Sequence, residues 1–267
     1  MTALAARRRH PLALVLLIAL GLLATGAAYA AFAPKPARAA TASADDIEQG
    51  KKLFLANCAS CHGINAAGAP ADNRGNIAGP SLIGVGAASV DFQVGTGRMP
   101  MAEPGPQAPE ATKRFSGEEV RQLSAYVGSL APGPAVPDAE FATAEGGDAA
   151  KGGDIFRVNC AMCHNFAGAG GALTRGKYAP SLKDTSPKHI YEAMLTGPQS
   201  MPVFNDKNIT PENKRDVIAY LETMQEEPNA GGAALGDLGP VPEGLFAWIV
   251  GLGALIGCAV WLGSKAA

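Results

Sequence analysis

The sequence predicts two small, loop-rich helical domains in tandem, set between apolar segments near either end of the chain. Three observations carry that expectation. The run Cys58-Ala59-Ser60-Cys61-His62 returns as Cys160-Ala161-Met162-Cys163-His164, 102 residues further on. Helix signals flank each copy at matching positions. Uncharged stretches long enough to cross a bilayer lie from Leu12 to Phe32 and from Gly244 to Gly263.

The repeated run is C-x-x-C-H, the pattern of c-type haem attachment. Two thiols add across the two vinyl groups of one porphyrin, and the histidine that follows is carried under the ring to the iron. One copy alone is weak, because five residues recur by chance; the surroundings decide. Leu53-Phe54 and Asn57 return as Ile155-Phe156 and Asn159 at the same offset of 102. Gly79-Pro80-Ser81-Leu82 and Thr96-Gly97 return as Ala179-Pro180-Ser181-Leu182 and Thr196-Gly197 at 100, and Met99-Pro100 as Met201-Pro202 at 102 again. This is an internal duplication, and the parts that repeat are those a haem needs.

In both copies a methionine lies 37 residues after the motif histidine. A histidine and a thioether together close both axial positions and raise the haem potential, which suits electron transfer better than oxygen chemistry. The expected axial pairs are therefore His62 with Met99 and His164 with Met201. Met101 is a rival for the first iron, since Met99-Pro100-Met101 offers two thioethers. Met162, Met194 and Met224 read as core filling. The expected cofactors are two covalently bound c-type haems, one on Cys58, Cys61 and His62, the other on Cys160, Cys163 and His164. A zinc site built from the four cysteines is disfavoured, because 98 residues separate the two pairs and the adjacent histidines would be unexplained.

Composition bounds the rest. The 267 residues suffice for two small domains and further segments, and 33 Gly with 20 Pro suit compact, irregular ones. Without Arg7, Arg8, Arg9 and Lys265 the chain keeps 18 basic residues against 24 acidic ones. A mildly acidic body argues against nucleic acid, whose phosphates call for clustered Lys and Arg. The motifs use four of the five cysteines, and the fifth, Cys258, reads as a small buried apolar residue in an apolar run.

Taken in order, residues 1–44 hold Arg7-Arg8-Arg9, the apolar run and a polar tether from Pro34. Three arginines before such a run read as an export signal or anchor with its basic end inside the cell. Ala28-Tyr29-Ala30 and Ala37-Arg38-Ala39 resemble cleavage sites, so both fates stay open. Either way the haem motifs lie on the extracytoplasmic side. Residues 45–130 form the first domain. Gly50 and Phe54 share a face of its opening helix, and Ser116-Gly117-Glu118-Glu119 opens the closing helix with a capping box. Val120, Leu123, Val127 and Leu130 then form its core stripe beside Tyr126. Between the two helices the chain reads as irregular.

Residues 131–147, with Pro132, Pro134 and Pro137, read as a linker. The second domain, 148–228, repeats the plan with Gly152, Phe156, Thr210-Pro211 as helix start, and Val217, Leu221 and Met224 beside Tyr220. Gly171-Ala172-Leu173-Thr174-Arg175-Gly176-Lys177 fits a phosphate-loop pattern, but Tyr178 follows where Ser or Thr is needed, so a Gly-rich loop over the haem is expected. His189 reads as a surface histidine. Residues 229–243 are a tether, and 244–263 a transmembrane helix with Trp248 and Trp261 near its ends and Lys265 inside. Its small residues, among them Gly251, Ala254 and Gly257, would let a partner helix approach.

Gly79 to Gly86, Phe92 to Pro100, Gly171 to Pro180, Met194 to Pro202 and Pro242 to Trp248 resemble the dihaem cytochrome cc subunit of the actinobacterial bcc-type menaquinol:cytochrome c reductase. The resemblance implies an all-α fold of two tandem class I cytochrome c domains. It implies that the carbonyls of Pro80 and Pro180 accept from the ligand histidines and fix their rings. It further implies a membrane-anchored electron-transfer subunit of a quinol:cytochrome c reductase, a translocase. Electrons would pass from a Rieske iron-sulfur protein through the two haems to a haem-copper oxidase, with cytochrome b and the Rieske protein as fellow subunits in the cell membrane. A dihaem carrier for a periplasmic dehydrogenase is the alternative with the same haem chemistry. A dihaem peroxidase would need an open axial position, against which the two Met-Pro motifs argue.

Overall fold

The computed structural model describes residues 11–32, 42–69, 79–103, 105–226 and 240–265. The basic N-terminal end, most of the first tether and much of the second lie outside the described residues. The chain divides into two units, 1–38 and 39–267. The first holds helix α1 (Pro11–Phe32). The second runs α2 (Ala44–Asn57), α3 (Ala59–His62), α4 (Ala87–Gly95), α5 (Gly117–Leu130), α6 (Ala149–Asn159) and α7 (Ala161–His164). It continues through β1 (Gly171–Ala172), β2 (Tyr178–Ala179), α8 (Pro187–Thr196) and α9 (Pro211–Glu226) to α10 (Pro240–Phe246), a π-helical turn (Ala247–Leu252) and α11 (Gly253–Lys265). Among the described residues the fold is all-α apart from the two-residue pairing of β1 with β2 and a single bridge of Ala69 with Gly79.

Each domain is built on the crossing of its first and last long helices. Ser43 caps α2, its hydroxyl accepting from Asp46 N at 3.0 Å. On α5 the expected capping box is complete: Ser116 N donates to Glu119 Oε2 at 2.8 Å, and Ser116 Oγ accepts from Glu119 N. Such caps contribute about 1 kcal/mol each. Asp148 and Thr210 do the same for α6 and α9, accepting from Lys151 N and Asn213 N. The crossing itself depends on two glycines. A β-carbon on Gly50 would fall on the carbonyl oxygen of Gln122 in α5, and one on Gly152 on that of Asp216 in α9. One turn later Phe54 meets Tyr126 at 5.3 Å between ring centroids, and Phe156 meets Tyr220 at 5.4 Å, both tilted. The expected stripes are core: Val120, Leu123, Val127, Val217 and Leu221 are buried.

Two elements stand where the sequence reading left no helix. α4 and α8 occupy matching places after the Pro-Ser-Leu segments and pack against one another across the domain boundary. Ser186 caps α8 with Pro187 in its first turn, and Gly197 ends it in a left-handed conformation. The segment read as a linker is docked at both ends. Pro134 O accepts from Ala88 N at 3.1 Å, while Phe141 and Ala144 pack on the second core and Arg215 lies over the Phe141 ring.

His189 is half-buried in the contact of α4 with α8, which corrects its reading as a surface residue. Its ring meets Phe92 edge-on at 6.1 Å. Lys188 Nζ lies 2.7 Å from Asp91 Oδ1 and 3.9 Å from Glu192 Oε1. Glu192 is fully buried, and among the described residues no donor comes within hydrogen-bond distance of its carboxyl oxygens. Burial, then the charge of Asp91, pushes its carboxyl up to about 9. It is therefore neutral near pH 7, and its own proton is the donor that Asp91 can accept. Burial holds His189 below the usual imidazole range against the pull of Asp91, with Lys188, Lys113 and Glu110 also facing it. Elsewhere a buried Lys214 donates to Asp206 Oδ1 at 2.6 Å and Ile209 O at 2.8 Å, so its charge is paired.

The terminal helices, Leu12–Tyr29 and Pro242–Lys265, are long and apolar enough to cross a membrane, and none of either window is covered by the rest of the chain. Cys258 is accordingly exposed rather than buried within this chain.

Two outcomes are expected. Gly152→Ala forces a methyl group against backbone and should destabilise the second domain by about 3 kcal/mol, at the upper end for overpacking; an unchanged denaturation midpoint in detergent would contradict the crossing. Glu192 retains in the folded chain a proton that the unfolded chain releases above the usual carboxylate range. Its contribution is therefore complete at low pH and is lost as pH rises towards 9. His189 acts with the opposite sign, its contribution being lost as pH falls below the usual imidazole range. The melting temperature should fall between pH 7 and 9, and Glu192→Gln should flatten that limb; an equally steep fall in the variant would refute the assignment.

Candidate haem sites

Each opening helix delivers its motif in the same way. The N–H of Cys58 donates to Phe54 O and that of Cys160 to Phe156 O, both at 2.8 Å, and there α2 and α6 end. The next four residues wind into the single turns α3 and α7. His62 N closes on Cys58 O at 3.0 Å and His164 N on Cys160 O at 2.9 Å. Thiols three residues apart on such a turn share a face, with the histidine immediately after them.

Both expected proline contacts are present. His62 Nδ1 lies 2.8 Å from Pro80 O and His164 Nδ1 3.0 Å from Pro180 O. A carbonyl only accepts, so Nδ1 carries the hydrogen in each ring. The lone pair is left on Nε2, the nitrogen that can take a metal. Burial holds His164 below the usual imidazole range, with the Pro180 contact opposing, so the ring is neutral and competent as a ligand. Burial also pushes the Cys58 and Cys160 thiols up to about 11.

In the second domain Cys160, Cys163, His164 and Met201 all line one cavity, with about 1140 Å³ of empty space counted out to its open mouth. Phe156, Ile190, Met194, Val217 and Leu221 supply much of the apolar wall, and Leu173 and Tyr178 bring the Gly-rich loop to its edge, as expected of it. The residues fit a haem c. Two thiols three residues apart, an imidazole with its Nε2 lone pair free and a thioether from a separate segment meet in one largely apolar recess, a donor set for covalent attachment and two axial bonds.

In the first domain residues 70–78 lie outside the described chain. The described part matches its counterpart: Cys58, Leu82 and Met99 pack on the cluster of Phe54, Val90 and Leu123, as Leu182 and Met201 pack on that of Phe156, Cys160 and Val217. Among the described residues Met99 belongs to that cluster and Met101 does not. Met194 is buried as core, at 2% exposure, and Met224 is half-buried. Met162 is 91% exposed at the rim of this cavity, which corrects its reading as core filling.

Sequence reasoning also missed three residues of this cavity. Phe92, Arg98 and Gln107 belong to the first domain yet line the recess of the second. Gln107 Nε2 donates to Tyr178 O and Gln107 Oε1 accepts from Tyr178 N, both at 2.9 Å, and Ala108 N donates to Gln199 Oε1 at 3.3 Å. The Gln-Ala pair lies in the Pro-rich stretch after Met99, where neither periodicity nor the internal repeat singles it out.

Residues 47–131 match the family model for cytochrome c, and residues 147–221 that for cytochrome c oxidase, cbb3-type, subunit III. Over 97% of its length the chain is 46% identical to the cytochrome bc1 complex cytochrome c subunits of Mycobacterium bovis and Mycobacterium tuberculosis, covering 92% of each. It is 42% identical to that of Corynebacterium efficiens over 96% of this chain and 90% of that one. The chain thus holds two cytochrome c domains, a family that implies covalent haem c binding, and its apolar helices suit a membrane complex. On identity and coverage of this extent, the chain belongs to the family of cytochrome c subunits of the cytochrome bc1 complex, electron carriers of a respiratory assembly.

Proposed function

We propose that this chain is the membrane-anchored dihaem subunit of a quinol:cytochrome c reductase, with one haem in each cytochrome domain. Cys58, Cys61, His62 and Met99 would hold the first, and Cys160, Cys163, His164 and Met201 the second. When bound, the two haems supply reversible one-electron transfer, carrying electrons from a Rieske iron-sulfur protein towards a haem-copper oxidase. The observation that carries this reading is the convergence of Cys160, Cys163, His164 and Met201 on a single apolar cavity. The like placement of Cys58 and Met99 on the first core supports one haem per domain.

The chain's own residues do four things. The cysteines fix the porphyrin covalently, so it stays in place in either oxidation state. Pro80 and Pro180 hold each imidazole by Nδ1, which leaves Nε2 for the iron. Met99 and Met201 would each offer the iron a thioether, which would keep dioxygen from it and raise the potential. The apolar walls exclude water and so keep small the solvent reorganisation that each transfer requires. The two helix crossings support domain limits at 45–130 and 148–228. Cytochrome b and the Rieske protein are the proposed fellow subunits, with the haem domains on the extracytoplasmic side. The uncovered small-residue face of α11 offers one of them a close approach in the bilayer. As a subunit of such a reductase the chain takes part in a translocase.

Purified in mild detergent, the tagged chain should carry two c-type haems and bring b- and a-type signals with it in a reduced-minus-oxidised spectrum, along with quinol-driven oxygen uptake. One haem per chain, or c-type signal alone, would overturn the reading. Met201→Ala should keep both haems attached, abolish one sulfur-to-iron charge-transfer band and lower one of the two potentials; two unaltered redox waves would remove Met201 from the ligand set.

A further inference from the structure

Arg98 stands in an unusual position. It directly precedes Met99, at the heart of the first domain, yet it lines the cavity of the second. The side chain is 9% exposed. Its guanidinium lies over the Phe92 ring at 4.9 Å, and Nη2 is 3.6 Å from Glu110 Oε2, a long contact to a carboxylate that is itself largely in solvent. Nη1 is buried with no hydrogen-bond partner among the described residues. Among the residues that line the cavity, Arg98 is the only Lys, Arg, Asp or Glu.

A guanidinium does not shed its proton in a protein, and a buried donor left unfilled on a charge that is only weakly paired is costly. The unfilled donor therefore calls for an anionic group on the cavity side. A haem brings two carboxylates on its propionate arms. We infer that Arg98 is an anion anchor across the domain boundary, its guanidinium holding a propionate of the haem seated in the second domain. The inference rests on the two-haem reading above. It makes Arg98 a positioning residue with two effects. A fixed positive charge favours the reduced haem and raises its potential, and it keeps the propionate ionised. Because Met99 follows in sequence, one peptide unit joins the proposed ligand of the first iron to the wall of the second site. The docking of Gln107 on Tyr178 holds that stretch in register.

The test is a spectroelectrochemical titration of the full dihaem chain in detergent, with the second-haem wave assigned by Met201→Ala. Arg98→Gln should shift the oxidised-to-reduced ratio of that wave about tenfold towards oxidised, equal to about 59 mV for one electron, and leave the first wave in place. The shifted wave should also gain a pH dependence between pH 6 and 8, falling as pH rises, because the propionate now titrates there. Arg98→Lys should restore most of the potential, and Glu110→Gln should move neither wave. If Arg98→Gln fails to load haem, the resonance Raman propionate bending band of Arg98→Lys is read instead, and an unshifted band overturns the anchor. An unmoved second wave, or equal shifts of both waves, overturns it too while leaving the two-haem reading intact; a single haem in the unaltered chain would remove that reading first.

Discussion

Two helices can carry a backbone this close together only where one of them lacks a side chain, and that constraint underlies both halves of the molecule. Gly50 seats α2 on the Gln122 carbonyl and Gly152 seats α6 on that of Asp216. With the crossing fixed, the phenylalanine one turn later falls against the tyrosine of the partner helix, and the helix ends one turn after that at a cysteine. The C-x-x-C-H turn thus starts from a rigid support, and its histidine reaches a proline carbonyl brought back by the following loop. Contact, helix end, thiols and imidazole form one mechanical sequence.

The two domains share this plan but are not equivalent in their surroundings. The first lends Phe92, Arg98 and Gln107 to the cavity of the second. The helices that meet between them carry a buried carboxyl and a half-buried imidazole in place of an ordinary apolar seam. Among the described residues no donor hydrogen-bonds the Glu192 carboxyl, and its burial with Asp91 beside it favours the protonated form.

What the sequence discloses is what repeats or punctuates. The motif residues, Met99 and Met201, the glycine and phenylalanine of each opening helix, and the caps at Ser116 and Thr210 are all local signals with a fixed spacing, and the structure contains the glycine crossings and the caps where expected. The helices α4 and α8 were illegible for a physical reason. Ala88, Val90, Asp91, Phe92 and Val94 are all buried in a nine-residue helix, so it is covered on several sides and shows no single apolar stripe. His189 sits beside Lys188 and reads as surface because it is the first domain, through Phe92, that covers it. The linker reads as free because Pro and Ala are as suited to lying along a surface as to spanning a gap. Arg98 belongs to the repeat unit of one domain and acts on the other, a relation that comparison of the two copies does not reveal.

The docking of Gln107 on Tyr178, together with the pinned ends of 131–147, has a kinetic meaning under the proposed function. Passage between the two sites becomes a first-order event within one molecule, with no encounter to wait for. Its rate constant should be indifferent to protein concentration, to solvent viscosity and to the salt that screens the meeting of a diffusing carrier with its partner. A chain arranged in this way replaces a collision with a distance.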